Sequence, residues 1–125
     1  MGNWDVDADL ETNRLYLTLE GHMDAEEVKA AADAVVDATE RLDEGFDEVN
    51  DMSTFKPSGE AAMEHIERGK RATAENGCAA IVRIVSESPT GQMQFDRAGE
   101  DAESYAVAKA ETVAEAERLL DQRRE

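Results

Sequence analysis

The sequence predicts an α/β fold in one domain over residues 1–125, with a mostly parallel sheet, a leading antiparallel hairpin and helices packed on that sheet. Two observations lead to this prediction. Segments with the two-residue period of strands alternate along the chain with segments of helical period, in the order β-β-α-β-α-β-α-β-α. Apolar residues make up 41% of the 125 residues, which is enough for one hydrophobic core.

The first two segments form the predicted hairpin. Apolar residues alternate with polar ones in both, first at Trp4, Val6 and Ala8 and then at Leu15, Leu17 and Leu19. The polar residues 11–14 between the two segments suit a turn. We therefore expect two antiparallel strands, the first of them half exposed.

A helix, a strand and a second helix follow the hairpin. Asp24 and Glu27 form a capping box at the start of the first helix, and Gly45 closes it. Residues 46–52 show a short strand pattern. Ser58 is placed as the N-cap of the second helix.

The second half of the chain continues the alternation. Residues 78–85 are β-branched and almost continuously apolar, as in a strand buried on both faces, and only Arg83 interrupts them. A short third helix is predicted over about residues 88–97, and a weak strand over residues 104–108. The last helix begins with a capping box at Thr112.

Acidic residues dominate the charge of the chain. It has 30 Asp and Glu against 13 Lys and Arg, a formal net charge of -17. Such a surface repels phosphate backbones and anionic lipids, so we predict neither nucleic acid nor a membrane as partner. The single cysteine, Cys78, rules out an internal disulfide. Neither a basic, apolar leader nor an apolar run of membrane length is evident, so we expect a cytoplasmic protein.

The distribution of this charge resembles that of proteins from salt-accumulating halophiles. Acidic residues occur in every segment, arginine outnumbers lysine, and alanine fills many helical positions. In molar salt the Debye length falls to about 3 Å, which removes the self-repulsion of so many carboxylates. We therefore interpret the chain as an acidic, halophilic protein.

Two loops after predicted strands form the candidate binding surface. In an open α/β sheet, function gathers at the carboxyl ends of the strands, and loops after neighbouring strands lie side by side. Serine, proline and glycine also serve turns and helix caps, so this structural interpretation stays open. The candidate residues are Asp51, Ser53, Thr54 and Lys56 in the first loop, and Ser86, Ser88, Thr90 and Gly91 in the second.

The first loop also carries a family motif. A strand that ends in Asp, a hydrophobic residue and Ser precedes a Ser-Gly pair at the next helix, here Asp51, Met52, Ser53, Ser58 and Gly59. With the order of elements, this motif resembles the STAS family, the SpoIIAA-like fold of anti-sigma-factor antagonists and of sulfate-transporter tails. The resemblance implies a non-catalytic regulatory or protein-interaction domain. It also implies that Ser58 is the phosphoacceptor candidate, and that the partner is a kinase, an anti-sigma-like factor or a second copy.

The motif departs from the pattern of the regulatory members of that family. They usually carry Asp-Ser-Ser-Gly, whereas this chain has Lys56, Pro57, Ser58 and Gly59, and its connection is shorter by about two residues. Pro57 replaces the acid that normally precedes the serine. Two interpretations stay open: Ser58 as a phosphoacceptor at a helix N-terminus near Lys56, and a chain without the usual switch in which Ser58 only caps the helix.

Two other functions also stay open. A small-ligand or lipid carrier of the CRAL-TRIO type needs an apolar cavity, and the alanine-rich helices leave little lining for one. An enzyme that uses the loop hydroxyls and Asp51 needs a base, but His65 lies about 10 Å beyond Ser58 along the helix axis. The sequence has neither a calcium-loop pattern nor a glycine-rich phosphate cradle. We predict no catalytic residue, no metal and no cofactor.

The halophilic interpretation predicts that folding depends on salt. Molar KCl should raise the helical circular dichroism signal above its value in low salt, because the cations screen the carboxylates. Sucrose at matched osmolality is the control, since a neutral solute leaves the charges unscreened. A protein that is equally folded in low salt and in molar KCl would contradict the interpretation.

Overall fold

The computed structural model contains the predicted α/β fold. The structure describes residues 2–52, 54–57, 59–84, 93, 97 and 105–124. The strands in these described residues are β1 (Asn3–Asp9), β2 (Arg14–Glu20), β3 (His22–Met23), β4 (Asp47–Asp51), β5 (Lys56–Pro57), β6 (Ala80–Ile84) and β7 (Ala106–Ala110).

Five of these strands form the main sheet, in the order β1-β2-β4-β6-β7. The hairpin strands β1 and β2 are antiparallel, and every other neighbouring pair is parallel. The predicted fold class, a mostly parallel sheet with a leading antiparallel hairpin, is confirmed. The remaining strands, β3 and β5, pair with each other in a separate two-stranded sheet that the sequence did not predict.

Helices cover both faces of the main sheet. The described residues include α1 (Ala25–Arg41), α2 (Glu60–Glu75) and α3 (Val113–Arg124). Apolar side chains of α1 and α2 pack on one face of the sheet and those of α3 on the other. In the predicted third helix, Met93 and Arg97 are helical, and its other residues lie outside the described part. Among the described residues, no helix is both long and apolar enough to span a membrane.

The alternation read in the hairpin places its apolar side chains under α1. Leu15 and Leu19 of β2 are buried in that core, and Leu17 is partly buried beside them. On the edge strand β1, Asp5 is exposed to solvent, whereas Val6 is partly buried against the core. The predicted half-exposed first strand is therefore confirmed.

The capping box at the start of α1 is also confirmed. The Asp24 carboxylate accepts a hydrogen bond from the Glu27 amide at 2.9 Å, and the Asp24 amide donates to the Glu27 carboxylate at 3.3 Å. At α3, the Thr112 hydroxyl accepts from the Glu115 amide at 3.1 Å. The Glu115 carboxylate, however, accepts from the amide of Glu111 rather than from that of Thr112. The second capping box is therefore only half formed.

Several predicted boundaries differ from the structure. Helix α1 ends at Arg41 with Leu42 as its C-cap, before Gly45. The N-cap of α2 is Gly59 and not Ser58, because the chain turns into the helix at φ 85° and ψ 173°, a conformation essentially restricted to glycine. The last strand, predicted over residues 104–108, is Ala106–Ala110. There the register with β6 decides the strand, since Ala80 pairs with Ala106 and Ile84 with Ala110.

A buried ion pair joins β2 to β4 on the side of α3. Arg14 Nε donates to Asp47 Oδ1 at 2.7 Å, and both residues are buried. Another Arg14 nitrogen donates to Asp121 at 2.9 Å. Arg124 donates to Asp47 Oδ2 at 2.9 Å and to two carbonyl oxygens in the turn between β1 and β2. Because a buried carboxylate is costly without partners, these bonds attach the C-terminal helix to the hairpin.

The substitutions Gly59→Ala and Gly69→Ala test the backbone at the start of α2. Alanine at 59 would have to adopt φ 85° and ψ 173°, so the free energy of unfolding should fall by about 1–3 kcal/mol. Gly69 lies inside α2, where an added Cβ would meet Ala32 Cβ at 3.9 Å, an ordinary contact. Alanine at 69 should therefore raise the free energy of unfolding by up to about 1 kcal/mol.

Urea unfolding at constant KCl concentration measures both effects. Gly69→Ala is the matched control, since it makes the same chemical change in the same helix. An unchanged free energy of unfolding for Gly59→Ala would contradict the positive φ at the N-cap.

Candidate functional site

The described part of the first candidate loop follows β4 at the carboxyl edge of the sheet. Asp51, the last residue of β4, is half-buried and lies opposite Thr18 of β2 and Ile84 of β6. Thr54 and Lys56 are exposed to solvent. The other predicted site residues lie outside the described residues, namely Ser53, Ser58, Ser86, Ser88, Thr90 and Gly91.

This loop is anchored from below by two apolar side chains. Met52 and Phe55 are buried to 1% and 0% exposure, and they pack in the core formed with Ile66 of α2. The Phe55 amide donates to the Met52 carbonyl at 3.1 Å, which closes a turn. The exposed residues Thr54 and Lys56 therefore flank the buried Phe55, whose side chain fixes this part of the loop to the core.

Hydrogen bonds to the preceding loop also hold the segment. The Lys56 amide donates to the Gly21 carbonyl at 2.9 Å, and the Gly21 amide donates to the Thr54 hydroxyl at 3.3 Å. His22 and Lys56 lie opposite each other in the β3–β5 pair. The carboxyl edge of the sheet is therefore built from two loops bonded to each other.

The two candidate loops leave neighbouring strands. β4 pairs in parallel with β6, with Asp51 opposite Ile84 at the end of both strands. The condition under which the loops would lie side by side is therefore met. The second loop itself, residues 86–91, lies outside the described part of the chain.

A second group of polar residues lies inside the protein, where the sequence predicted no site. Glu48 and Asn50 of β4, Lys70 of α2 and Arg83 of β6 are all at least 95% buried on the face of the sheet under α1 and α2. The sequence contained one signal, since polar residues interrupt strands and a helix stripe that are otherwise apolar. Of the four, only Arg83 was singled out from the sequence, as the interruption of an apolar strand.

Several of these residues line a cavity of about 40 Å³ between the sheet and the helices α1 and α2. Glu48 Oε1 and Asn50 Oδ1 have no hydrogen-bond partner among the described residues. The Asn50 side chain does hydrogen-bond to the Glu48 carboxyl. Buried polar atoms are normally paired, so this arrangement is unusual for a purely structural core.

Burial raises the pKa of Glu48 from 4.5 to about 8, because desolvation disfavours the carboxylate. The positive charge of Arg83, the hydrogen bond from Asn50 and the charge of Lys70 all act in the opposite direction. Desolvation is the largest of these effects. Near neutral pH, Glu48 is therefore largely protonated.

The positions of His65 and Cys78 decide whether either residue could take part in catalysis. His65 is half-buried, lines the cavity and accepts from Arg68 at 3.4 Å. Cys78 is buried in the core, and the burial, with a smaller contribution from the charge of Glu48, raises the pKa of its thiol. Cys78 therefore behaves as a small buried hydrophobe.

The raised pKa of Glu48 predicts a stability that depends on pH. Between pH 4.5 and about 8 the folded protein keeps a proton that the unfolded chain releases. The contribution of Glu48 to stability is therefore complete below pH 4.5, decreases as the pH rises, and is lost above about pH 8. From pH 5 to 8.5, the free energy of unfolding of the wild type should fall relative to Glu48→Gln by up to about 4 kcal/mol.

Urea unfolding of both proteins across this range measures the difference, in which the other carboxylates cancel. Glu40→Gln, at an exposed position on α1, is the matched control and should follow the wild type. Parallel pH profiles for the wild type and Glu48→Gln would contradict the raised pKa.

Comparison with known proteins places the fold but no activity. No protein-family model matches the chain, and no curated protein matches it. A solved structure does match, that of an uncharacterized protein of the DUF3478 family with a SpoIIAA-like fold from Shewanella loihica PV-4. The alignment has a TM-score of 0.69 and 9% sequence identity, and it covers 95% of this chain and 93% of that one. The chain therefore has a SpoIIAA-like fold, as the resemblance to the STAS family implied.

Proposed function

We propose that this chain is a non-catalytic regulatory or protein-interaction domain that binds its partner at the carboxyl edge of the sheet. One observation carries this proposal: the loop after β4 exposes Thr54 and Lys56 on a base made of buried Met52 and Phe55. Binding residues are commonly found on loops that a rigid scaffold holds in place. Such a loop presents polar groups without a large ordering cost on binding.

The proposed surface extends along the edge from the first loop to the second. Asp51 ends β4 beside the end of β6, so the loop that follows β6 starts next to it. We propose that the binding surface consists of Asp51, Ser53, Thr54, Lys56, Ser86, Ser88, Thr90 and Gly91.

Ser58 is the proposed phosphoacceptor on this surface. It precedes Gly59, which as the N-cap of α2 has no side chain to bond the amides of the first turn. A phosphate on Ser58 would find these amides and the positive end of the helix dipole, and Lys56 is close in sequence. Phosphorylation would add a charge of about -2 to the middle of the surface and would change its choice of partner.

The proposed partner is a kinase, an anti-sigma-like factor or a second copy of this chain, and the proposed location is the cytoplasm. A net charge of -17 disfavours binding to nucleic acid and to anionic membranes. If the chain is halophilic, as we also propose, such a complex has to form in concentrated salt, where long-range charge attraction is screened. Short-range contacts of the loop side chains would then carry the binding.

Affinity capture in molar KCl, from a lysate of the source organism, tests the surface. The wild type should retain a kinase, an anti-sigma-like protein or a second copy. Lys56→Glu and Ser58→Asp should each reduce the amount retained by about ten-fold, because they change charge at the centre of the contact. Arg41→Glu is the matched control, since it makes a similar charge reversal at the exposed last turn of α1.

Equal retention of the partner by the wild type and by all three variants would contradict the proposed surface. Mass spectrometry of the protein isolated from growing and stressed cells tests the phosphoacceptor separately. Unmodified Ser58 in every condition would contradict its role as a phosphoacceptor and leave the binding surface to be judged by the capture experiment.

A further inference from the structure

Two oxygen atoms in the interior cavity lack a hydrogen-bond donor among the described residues. They are Glu48 Oε1 and Asn50 Oδ1, and both side chains line the cavity and are more than 95% buried. Because the Asn50 side chain is hydrogen-bonded to the Glu48 carboxyl, the two groups hold each other in position. Thr73, also in the cavity wall, uses its hydroxyl to donate to the Gly69 carbonyl at 2.8 Å. Asn50 Oδ1 therefore favours an occupant that donates a hydrogen bond, whereas the protonated Glu48 carboxyl can donate or accept.

The charged groups around Glu48 determine which ligand charge the cavity favours. Lys70 and Arg83 are buried, and their positive charges both act on the Glu48 carboxyl. A cationic ligand would add a third positive charge at low dielectric and would be repelled. An anionic ligand has no donor for Asn50 Oδ1, which can only accept. An uncharged group that both donates and accepts avoids both penalties, and a hydroxyl is such a group.

The rest of the cavity wall sets the size and the apolar character of the ligand. Leu17, Val35, Ile66 and Ile81 contribute apolar surface around the polar end. A water molecule needs about 10–15 Å³ in such a space, so a cavity of about 40 Å³ has room for roughly three or four heavy atoms.

We propose that this cavity is a binding site for a small uncharged alcohol. Its hydroxyl would donate to Asn50 Oδ1, and its alkyl part would pack against the apolar wall. The site is separate from the proposed protein-binding surface and does not depend on it. It also differs from the apolar carrier cavity considered from the sequence, because buried polar groups select the ligand.

Three compounds of nearly equal size test this proposal on the wild-type protein. Propan-2-ol is an uncharged donor, acetone has no donor, and isopropylammonium is a charged donor. Each is titrated into ¹⁵N-labelled protein at constant pH and salt, and the amide shifts are followed by NMR. Propan-2-ol should give saturable shifts at the cavity residues, and acetone and isopropylammonium should bind at least about ten-fold more weakly.

A pair of variants identifies the acceptor. Asn50→Leu removes the amide oxygen, keeps the branched skeleton of the side chain and should abolish the preference for propan-2-ol over acetone. Val49→Ala changes the adjacent residue of β4, which packs towards α3, and should keep the preference. If Asn50→Leu does not fold, the comparison of the three compounds on the wild type still decides.

Two results would overturn the proposal. Absence of saturable shifts with propan-2-ol would mean that the cavity holds only water. Equal affinity for propan-2-ol and acetone would mean that Asn50 Oδ1 does not select the ligand.

Discussion

The inner strand β4 has to bury two adjacent carboxyl groups on opposite faces of one sheet, and much of the structure is arranged around that constraint. Asp47 faces α3, where Arg14 and Arg124 bond both of its oxygens. Glu48 faces α1 and α2, where it stays largely protonated near neutral pH because desolvation outweighs the nearby cations. A buried carboxyl group must be either paired with cations or neutralised by a proton, and this strand does both.

These two solutions give the two faces of the sheet different properties. On the α3 face, the ion pairs reach from β2 and β4 to the C-terminal helix and to the turn of the hairpin. That network is saturated, so it serves the fold. On the opposite face, one oxygen each of Glu48 and Asn50 has no hydrogen-bond partner among the described residues, and both side chains line a cavity. This part of the core can therefore still form hydrogen bonds to a ligand.

The loop after β4, here called the edge loop, and the cavity are supported by the same apolar side chains. Ile66 of α2 packs against Met52 and Phe55 under the edge loop, and it also lines the cavity. Leu19 of β2 and Val28 of α1 also belong to both the core under the loop and the wall of the cavity. The apolar side chains that line the cavity therefore also support the loop after β4. This support explains how a short, polar connection is held in place although its only regular structure is the two-residue strand β5.

Short-range sequence patterns predicted those parts of the fold that depend on interactions between residues close in sequence. The capping box at Asp24 depends on residues three positions apart, and the leucines of β2 follow the pleat of one strand. The pair β3–β5 could not be found in this way, since two-residue strands have no period and Met23 meets Pro57 only after the chain has folded. Gly59 was misjudged because serine is the better N-cap in general, whereas the backbone here needs a positive φ.

The sequence likewise predicted one part of the candidate site and not the other. The position of Asp51, Thr54 and Lys56 at the carboxyl edge followed from the sequence, because a residue after a parallel strand has to lie at that edge. The polar cavity did not follow, since Glu48 and Asn50 look like the exposed positions of a half-buried strand. By itself, the sequence determined the order along the chain of the five main-sheet strands and of the helices α1, α2 and α3, the hairpin and the first helix cap, all of which depend on neighbouring residues. Only the tertiary structure decided that β4 is buried on both faces, because burial depends on the strands and helices that pack around it.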